Sequence, residues 1–250
     1  MHLIIYFAGS GEVDDESLSF YKDFASYITR ETMLLSIAGC KHPEVCNTLY
    51  FPDLKRYAKR FVQKMFLNTG NRFVLKNAEE AKVGYFLSSS QELSPGTEIT
   101  SVTLCGHSRG AVTCFEVAKQ LNQLAPQLPV DIVADQPVPG NCYETPGTNA
   151  ASIADCRDLT NVRNVSVILG SCTGGYEYNY LPFFNKIKNL YRSLRHLAFF
   201  SQILPKLPIH AKRCVSVIPK SNHDEKDSDD AHLHMQVAKS LLENRTPKLC

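Results

Sequence analysis

Residues 99 to 116 read Ile-Thr-Ser-Val-Thr-Leu-Cys-Gly-His-Ser-Arg-Gly-Ala-Val-Thr-Cys-Phe-Glu, a β-rich apolar run that breaks at Gly106-His107-Ser108-Arg109-Gly110. Beyond the break the spacing becomes helical, with Ala111, Val112, Phe115, Ala118, Leu121 and Leu124 on one stripe. Strand, G-x-S-x-G and helix together spell a nucleophile elbow, in which the serine sits on a sharp turn above the end of the sheet. Glycines on either side of the serine remove the Cβ atoms that such a turn would crowd. Ser108 is therefore the candidate nucleophile. The amide of Arg109, at the start of the following helix, is positioned to meet a developing oxyanion.

Outward from the elbow, strand-like runs fall at 2–8, 32–38, 99–105, 130–135, 164–170 and 213–218. Most are continuous β-branched or aliphatic runs of the kind that suit strands covered on both faces. They alternate with helical stretches near 16–30, 53–67, 73–90, 109–124, 183–203 and 230–243. Such alternation predicts right-handed crossovers and an α/β fold, with a mostly parallel central sheet of about six strands and helices on both faces. In sheets of this kind sites form at the carboxyl ends of the strands. Residues 136–163, with Pro137, Pro139, Gly140, Pro146 and Gly147, read as a long excursion. The acidic run from Asp224 to Asp230 favours the N-terminus of the last helix.

A chain of 250 residues is long enough to bury a full core as one domain, so 1–250 is read as a single unit. The net charge of +2 gives no global argument for a nucleic-acid partner. Locally the balance differs: from Tyr178 to His223 there is no acid, while Lys186, Lys188, Arg192, Arg195, Lys206, Lys212, Arg213 and Lys220 all fall there. The nine cysteines show no C-x-x-C pair and no framework, and several lie in apolar runs as small hydrophobes. No zinc-ligand spacing occurs, and no metal or cofactor is expected. The first eight residues have no basic n-region and read as a strand, not a signal peptide. With no apolar run of about 18 residues, the chain is not expected to span a membrane.

A nucleophilic serine needs a histidine as general base and a carboxylate to hold that histidine's tautomer. Hydrolases built on this elbow place them in the order serine, acid, histidine. Asp135 closes the next strand, and Glu177 follows the strand after it, so these two compete as the acid. His223, five residues past the last strand, is the candidate base, with His232 and His234 as rivals near the final helix. The second oxyanion donor is expected from the turn Phe7-Ala8-Gly9-Ser10-Gly11-Glu12, at Gly9 or Ser10.

Three stretches, Ala81-Lys82-Val83-Gly84-Tyr85-Phe86-Leu87, Ser94-Pro95-Gly96-Thr97-Glu98-Ile99 and Gly106-His107-Ser108-Arg109-Gly110-Ala111, resemble the α/β-hydrolase superfamily. Within it they are similar to the bacterial group that includes the type VI secretion lipase effectors, where a helix ending in Ala-Tyr-x-x-Leu precedes Pro-Gly-Asp-x-Ile and Gly-Phe-Ser-Arg-Gly-Ala. The chain departs from that group at Ala8-Gly9-Ser10, where Asp-Gly-Thr is common, and at Gln136 in the turn after Asp135. The resemblance implies a serine esterase or lipase without a metal cofactor, with Ser108, Asp135 and His223 as triad. It implies a cytoplasmic protein or one exported without a signal peptide by a bacterial secretion system. The basic segment 178–212 carries Phe183, Phe184, Ile187, Leu190, Tyr191 and Leu194 at helical spacing. That pattern fits either a cap touching an anionic membrane or plain sheet cover.

Overall fold

The computed structural model describes residues 1–9, 31–37, 51–76, 86–89, 95–107, 109–135, 137, 154–170 and 203–218. The nine described strands are β1 (His2–Phe7), β2 (Thr32–Ile37), β3 (Phe66–Asn68), β4 (Phe73–Leu75), β5 (Phe86–Ser89), β6 (Ser101–His107), β7 (Val130–Asp135), β8 (Val162–Gly170) and β9 (Lys212–Ile218). Two α-helices are described, α1 (Phe51–Met65) and α2 (Arg109–Leu124), with a 3-10 turn at Leu204–Lys206. Seven strands form one sheet in the order β5-β2-β1-β6-β7-β8-β9, and β3 pairs with β4 in a separate hairpin. All neighbours in the large sheet are parallel except β5, which runs antiparallel to β2 at the edge. This is the mostly parallel α/β sheet expected from the sequence, with one edge strand added.

Side chains of a strand alternate between faces, and the core follows that rule. Leu3, Ile5 and Phe7 of β1, Val102 and Leu104 of β6, and Val130, Ile132 and Ala134 of β7 join one apolar cluster with Leu54, Ala58, Phe61, Val62 and Met65 of α1 and Ala111, Phe115, Ala118 and Leu121 of α2. Phe61 sits at the centre, edge-on to Phe7 at 5.3 Å and to Phe66 at 6.4 Å, and stacked on Tyr57 at 6.2 Å. The other face of the sheet is also buried but more polar, carrying Ser36, Thr103, Cys105, Ser166 and Ser216 beside Ile4, Tyr6, Leu34, Val133 and Ile168.

α2 is buried nearly all round, with Val112, Cys114 and Val117 covered as well as the sheet-facing stripe. A helix needs such a composition when it lies between a sheet and a second helix. It ends at Leu124, where the Ala125 amide bonds the Leu121 carbonyl at 2.7 Å and Pro126 stops propagation.

One expectation fails. The stretch 73–90, read as helical, holds β4 at its start and β5 near its end, so Phe86-Leu87 of the family-like segment are strand residues rather than the end of a helix. Phe66 and Leu67 likewise leave the helix expected over 53–67 to pair with Leu75 and Val74. The turn between β3 and β4 carries Gly70 at φ 89°, and Pro95-Gly96, with Gly96 at φ 81°, returns the chain toward β6. The helices expected at 16–30, 183–203 and 230–243, and most of the excursion 136–163, lie outside the described residues. Among the described residues no helix is long and apolar enough to cross a membrane.

Candidate active site

β6 ends at His107 and α2 begins at Arg109, so a single residue, Ser108, separates strand from helix. So abrupt a reversal forces backbone against backbone, and both motif glycines sit where it happens. A Cβ on Gly106 would stand 2.5 Å from the carbonyl carbon of Gly110 and 2.8 Å from the Ala111 amide nitrogen. On Gly110 it would stand 2.6 Å from the carbonyl carbon of Phe7 and 2.7 Å from the Ala8 oxygen, and closer still to the Phe7 oxygen. Neither position has room for any side chain. The two glycines thus press the elbow together and pack the first turn of α2 onto the end of β1.

That second contact bears on the oxyanion site. The backbone of Phe7 and Ala8 lies against Gly110 in the first turn of α2, and the Ala8 amide is held by the Ile37 carbonyl at 3.0 Å. The Gly9 backbone and the N-terminus of α2 at Arg109 therefore share the carboxyl edge of the sheet. A helix N-terminus there offers unpaired amides and the positive end of a dipole.

The parallel register fixes what else reaches that edge. Phe7 pairs with Ile37 and Gly106, His107 pairs with Asp135, and Asp135 pairs with Ile168. Asp135 is thus on the strand next to the elbow, level with the residue that precedes Ser108. His107 and Asp135 project on the same face of the sheet, opposite α2, and both are half-buried. Sequence reasoning passed over His107, although its place one residue before the serine on a parallel strand is the signal that brings it beside Asp135.

Ser108, Ser10, His223, Glu177, His232 and His234 lie outside the described residues, as does the side chain of Arg109. Of the expected site, the described residues Gly9, Arg109 (backbone) and Asp135 lie at the carboxyl edge of the sheet.

Cysteine is the other nucleophile near the elbow. The Cys105 thiol is fully buried and pushed well up by that burial, with Cys114 and the Asp135 carboxylate adding to the effect. Burial likewise pushes up the Cys114 thiol, which donates to the Gly110 carbonyl at 3.3 Å. Both remain protonated at neutral pH and are inert.

The described elements form a mostly parallel α/β sheet in which β6 runs into α2 at the motif read from the sequence as a nucleophile elbow. No family model matches the chain, and no curated protein matches it in sequence. Among solved structures it is similar to an esterase of Pyrobaculum calidifontis, at 12% identity over 97% of this chain and 76% of that one, with a TM-score of 0.46. It is also similar to acetyl xylan esterase 1 of Thermoanaerobacterium sp. JW/SL YS485, at 14% identity over 96% and 75% of the two chains, with a TM-score of 0.44. A third is the siderophore hydrolase EstA of Aspergillus nidulans, at 12% identity over 97% and 83%, with a TM-score of 0.46.

Proposed function

We propose that the protein is a serine hydrolase of carboxylic esters, with Ser108 as nucleophile, His223 as general base, Asp135 as the acid that orients it, and the amides of Gly9 or Ser10 and Arg109 as oxyanion donors. The observation that carries the reading is the elbow itself: one residue between β6 and α2, flanked by two glycines that have no space for a Cβ. An ordinary β-α connection does not demand both.

In the proposed reaction the hydroxyl of Ser108 attacks the ester carbonyl as His223 takes its proton, forming a tetrahedral oxyanion held by the backbone amides. Collapse returns the proton to the departing alcohol and leaves an acyl-serine. Water, activated by the same imidazole, then releases the acid. In this reading Asp135 fixes the imidazole tautomer and stabilises its charged form. Lipid esters are the substrate class favoured by the resemblance to effector lipases and by the basic, aromatic segment 178–212.

Labelling with a fluorophosphonate tests the reading directly. Wild type is expected to label and to hydrolyse a short-chain ester, and folded Ser108→Ala is expected to do neither, because loss of a nucleophile costs several orders of magnitude in rate. Labelling retained in Ser108→Ala would refute it. Asp135→Asn is expected to cripple turnover far more than Glu177→Gln, and the opposite ranking would reassign the acid.

A further inference from the structure

We infer that the outward face of α1 docks on an anionic phospholipid surface. Residues Leu54, Ala58, Phe61, Val62 and Met65 bury one face of this helix in the core. The opposite face exposes Lys55, Arg56, Lys59, Arg60 and Lys64, with Gln63 among them and no acid from Leu54 to Met65. The inner face anchors the helix, so the cations are displayed on a rigid element.

The pattern works against the helix in isolation. Lys55 and Lys59, Arg56 and Arg60, and Arg60 and Lys64 are three like-charged pairs spaced i, i+4, the spacing at which neighbours on a helix repel. Among the described residues the ion pairs are Arg72–Glu98, Arg157–Asp155 and Arg163–Asp131, and none involves Lys55, Lys59, Arg60 or Lys64. With a chain-wide net charge of only +2, this is local segregation of charge, not general basicity. A stripe of exposed cations on one rigid face complements an extended anionic surface.

The neighbouring residues select the kind of surface. Leu67, two residues past the end of the helix, is an apolar side chain 46% exposed. The exposed residues of the stripe include no aromatic ring on which a base could stack, since Tyr57 is half-buried against Phe61. Cations flanked by an exposed aliphatic group match a bilayer, where lysine and arginine meet headgroups and the apolar group enters the boundary below them.

Co-sedimentation of the full chain with vesicles tests this. Binding is expected to vesicles of phosphatidylcholine with phosphatidylserine, not to phosphatidylcholine alone, and to fall at high salt. The variant K55Q/K59Q/R60Q/K64Q, checked for fold by circular dichroism, is expected to bind about fivefold more weakly per charge removed. Leu67→Ser is expected to weaken binding even when salt has suppressed the charge contribution. Three results would overturn the inference: no vesicle binding at low salt, equal binding by the quadruple variant, or loss of binding only when Lys186, Lys188, Arg192 and Arg195 are replaced. Tighter binding of duplex RNA than of vesicles would overturn the choice of lipid. None of these readouts depends on ester hydrolysis, so failure of the proposed activity leaves the test intact.

Discussion

Gly106 and Gly110 are glycines for a packing reason, and this makes a sharp contrast with Gly70. A methyl group at Gly106 or Gly110 collides with backbone atoms that cannot swing aside. Gly106→Ala and Gly110→Ala are each expected to cost about 1–3 kcal/mol through overpacking. Gly70→Ala meets nothing within 4 Å, but its φ of 89° sets a conformational cost of about 1 kcal/mol. Urea unfolding of the three variants separates the mechanisms further, because only the elbow variants should also lose fluorophosphonate labelling. His2 offers a second test at this scale. Its ring spans Ser101 Oγ at 2.7 Å and Thr103 Oγ1 at 3.0 Å. Burial holds the imidazole below its ordinary value of 6.5, with Asp131 pulling it up and Arg163 and the terminal ammonium pushing it down. A folded value that is lowered means the contribution of His2 to stability is complete above about pH 6.5. It is lost as the pH falls and the unfolded chain takes up a proton that the folded ring refuses. The Tm of wild type, followed from about pH 7 to pH 5, should therefore fall more steeply than that of His2→Gln. Equal slopes would remove His2 from the account.

At the scale of elements, α1 is held through Phe61, whose ring contacts Phe7, Tyr57 and Phe66 and is fully buried. Phe61→Ala is expected to destabilise the protein by about 3–5 kcal/mol, whereas Arg60→Ala, on the exposed face, should change stability little. Denaturant titration of the pair checks both. The elements that sequence pattern located well are the ones with strong periodicity. The expected helix 109–124 is observed as Arg109–Leu124 and the expected strand 130–135 as Val130–Asp135. Strand β4, at the start of the stretch 73–90, was missed because the strong helix formers of Asn77-Ala-Glu-Glu-Ala-Lys82, which lie outside the described residues, outweighed a hairpin signal already present upstream. That signal is Asn68-Thr69-Gly70-Asn71 between two apolar runs. β5 is short, at an edge and antiparallel, so neither length nor alternation marks it in the sequence. The elbow and Asp135 were legible because a motif and a strand end define them. The nearness of His107 to Asp135 was not, because it depends on the register between β6 and β7, which only pairing reveals.

On the scale of the whole molecule the sheet has two working ends, and β7 connects them. Asp131 and Asp135 lie four residues apart on the same strand, and so on the same face. At the amino end Asp131 accepts from Arg163 at 2.6 Å and from Asn164 at 2.7 Å, tying β7 to β8 in a charge-assisted network beside His2. At the carboxyl end Asp135 stands level with His107, next to the elbow and the first turn of α2. Similar carboxylates on one strand should therefore have separable roles. Asp131→Asn removes the charge at the amino end and is expected to lower stability by about 1 kcal/mol, below the range for fully buried hydrogen bonds to ionised groups because the Arg163 side chain is half exposed. Hydrolysis of a soluble ester, measured well below the melting temperature, should stay near the wild-type rate. Asp135→Asn is expected to do the reverse, leaving the unfolding midpoint within about 1 kcal/mol while reducing kcat by several orders of magnitude through the wrong imidazole tautomer. Because the two substitutions lie at opposite ends of one strand, their effects on stability should add in the double variant. A large loss of stability in Asp135→Asn with activity intact would make that carboxylate a structural brace and move the acid of the site elsewhere.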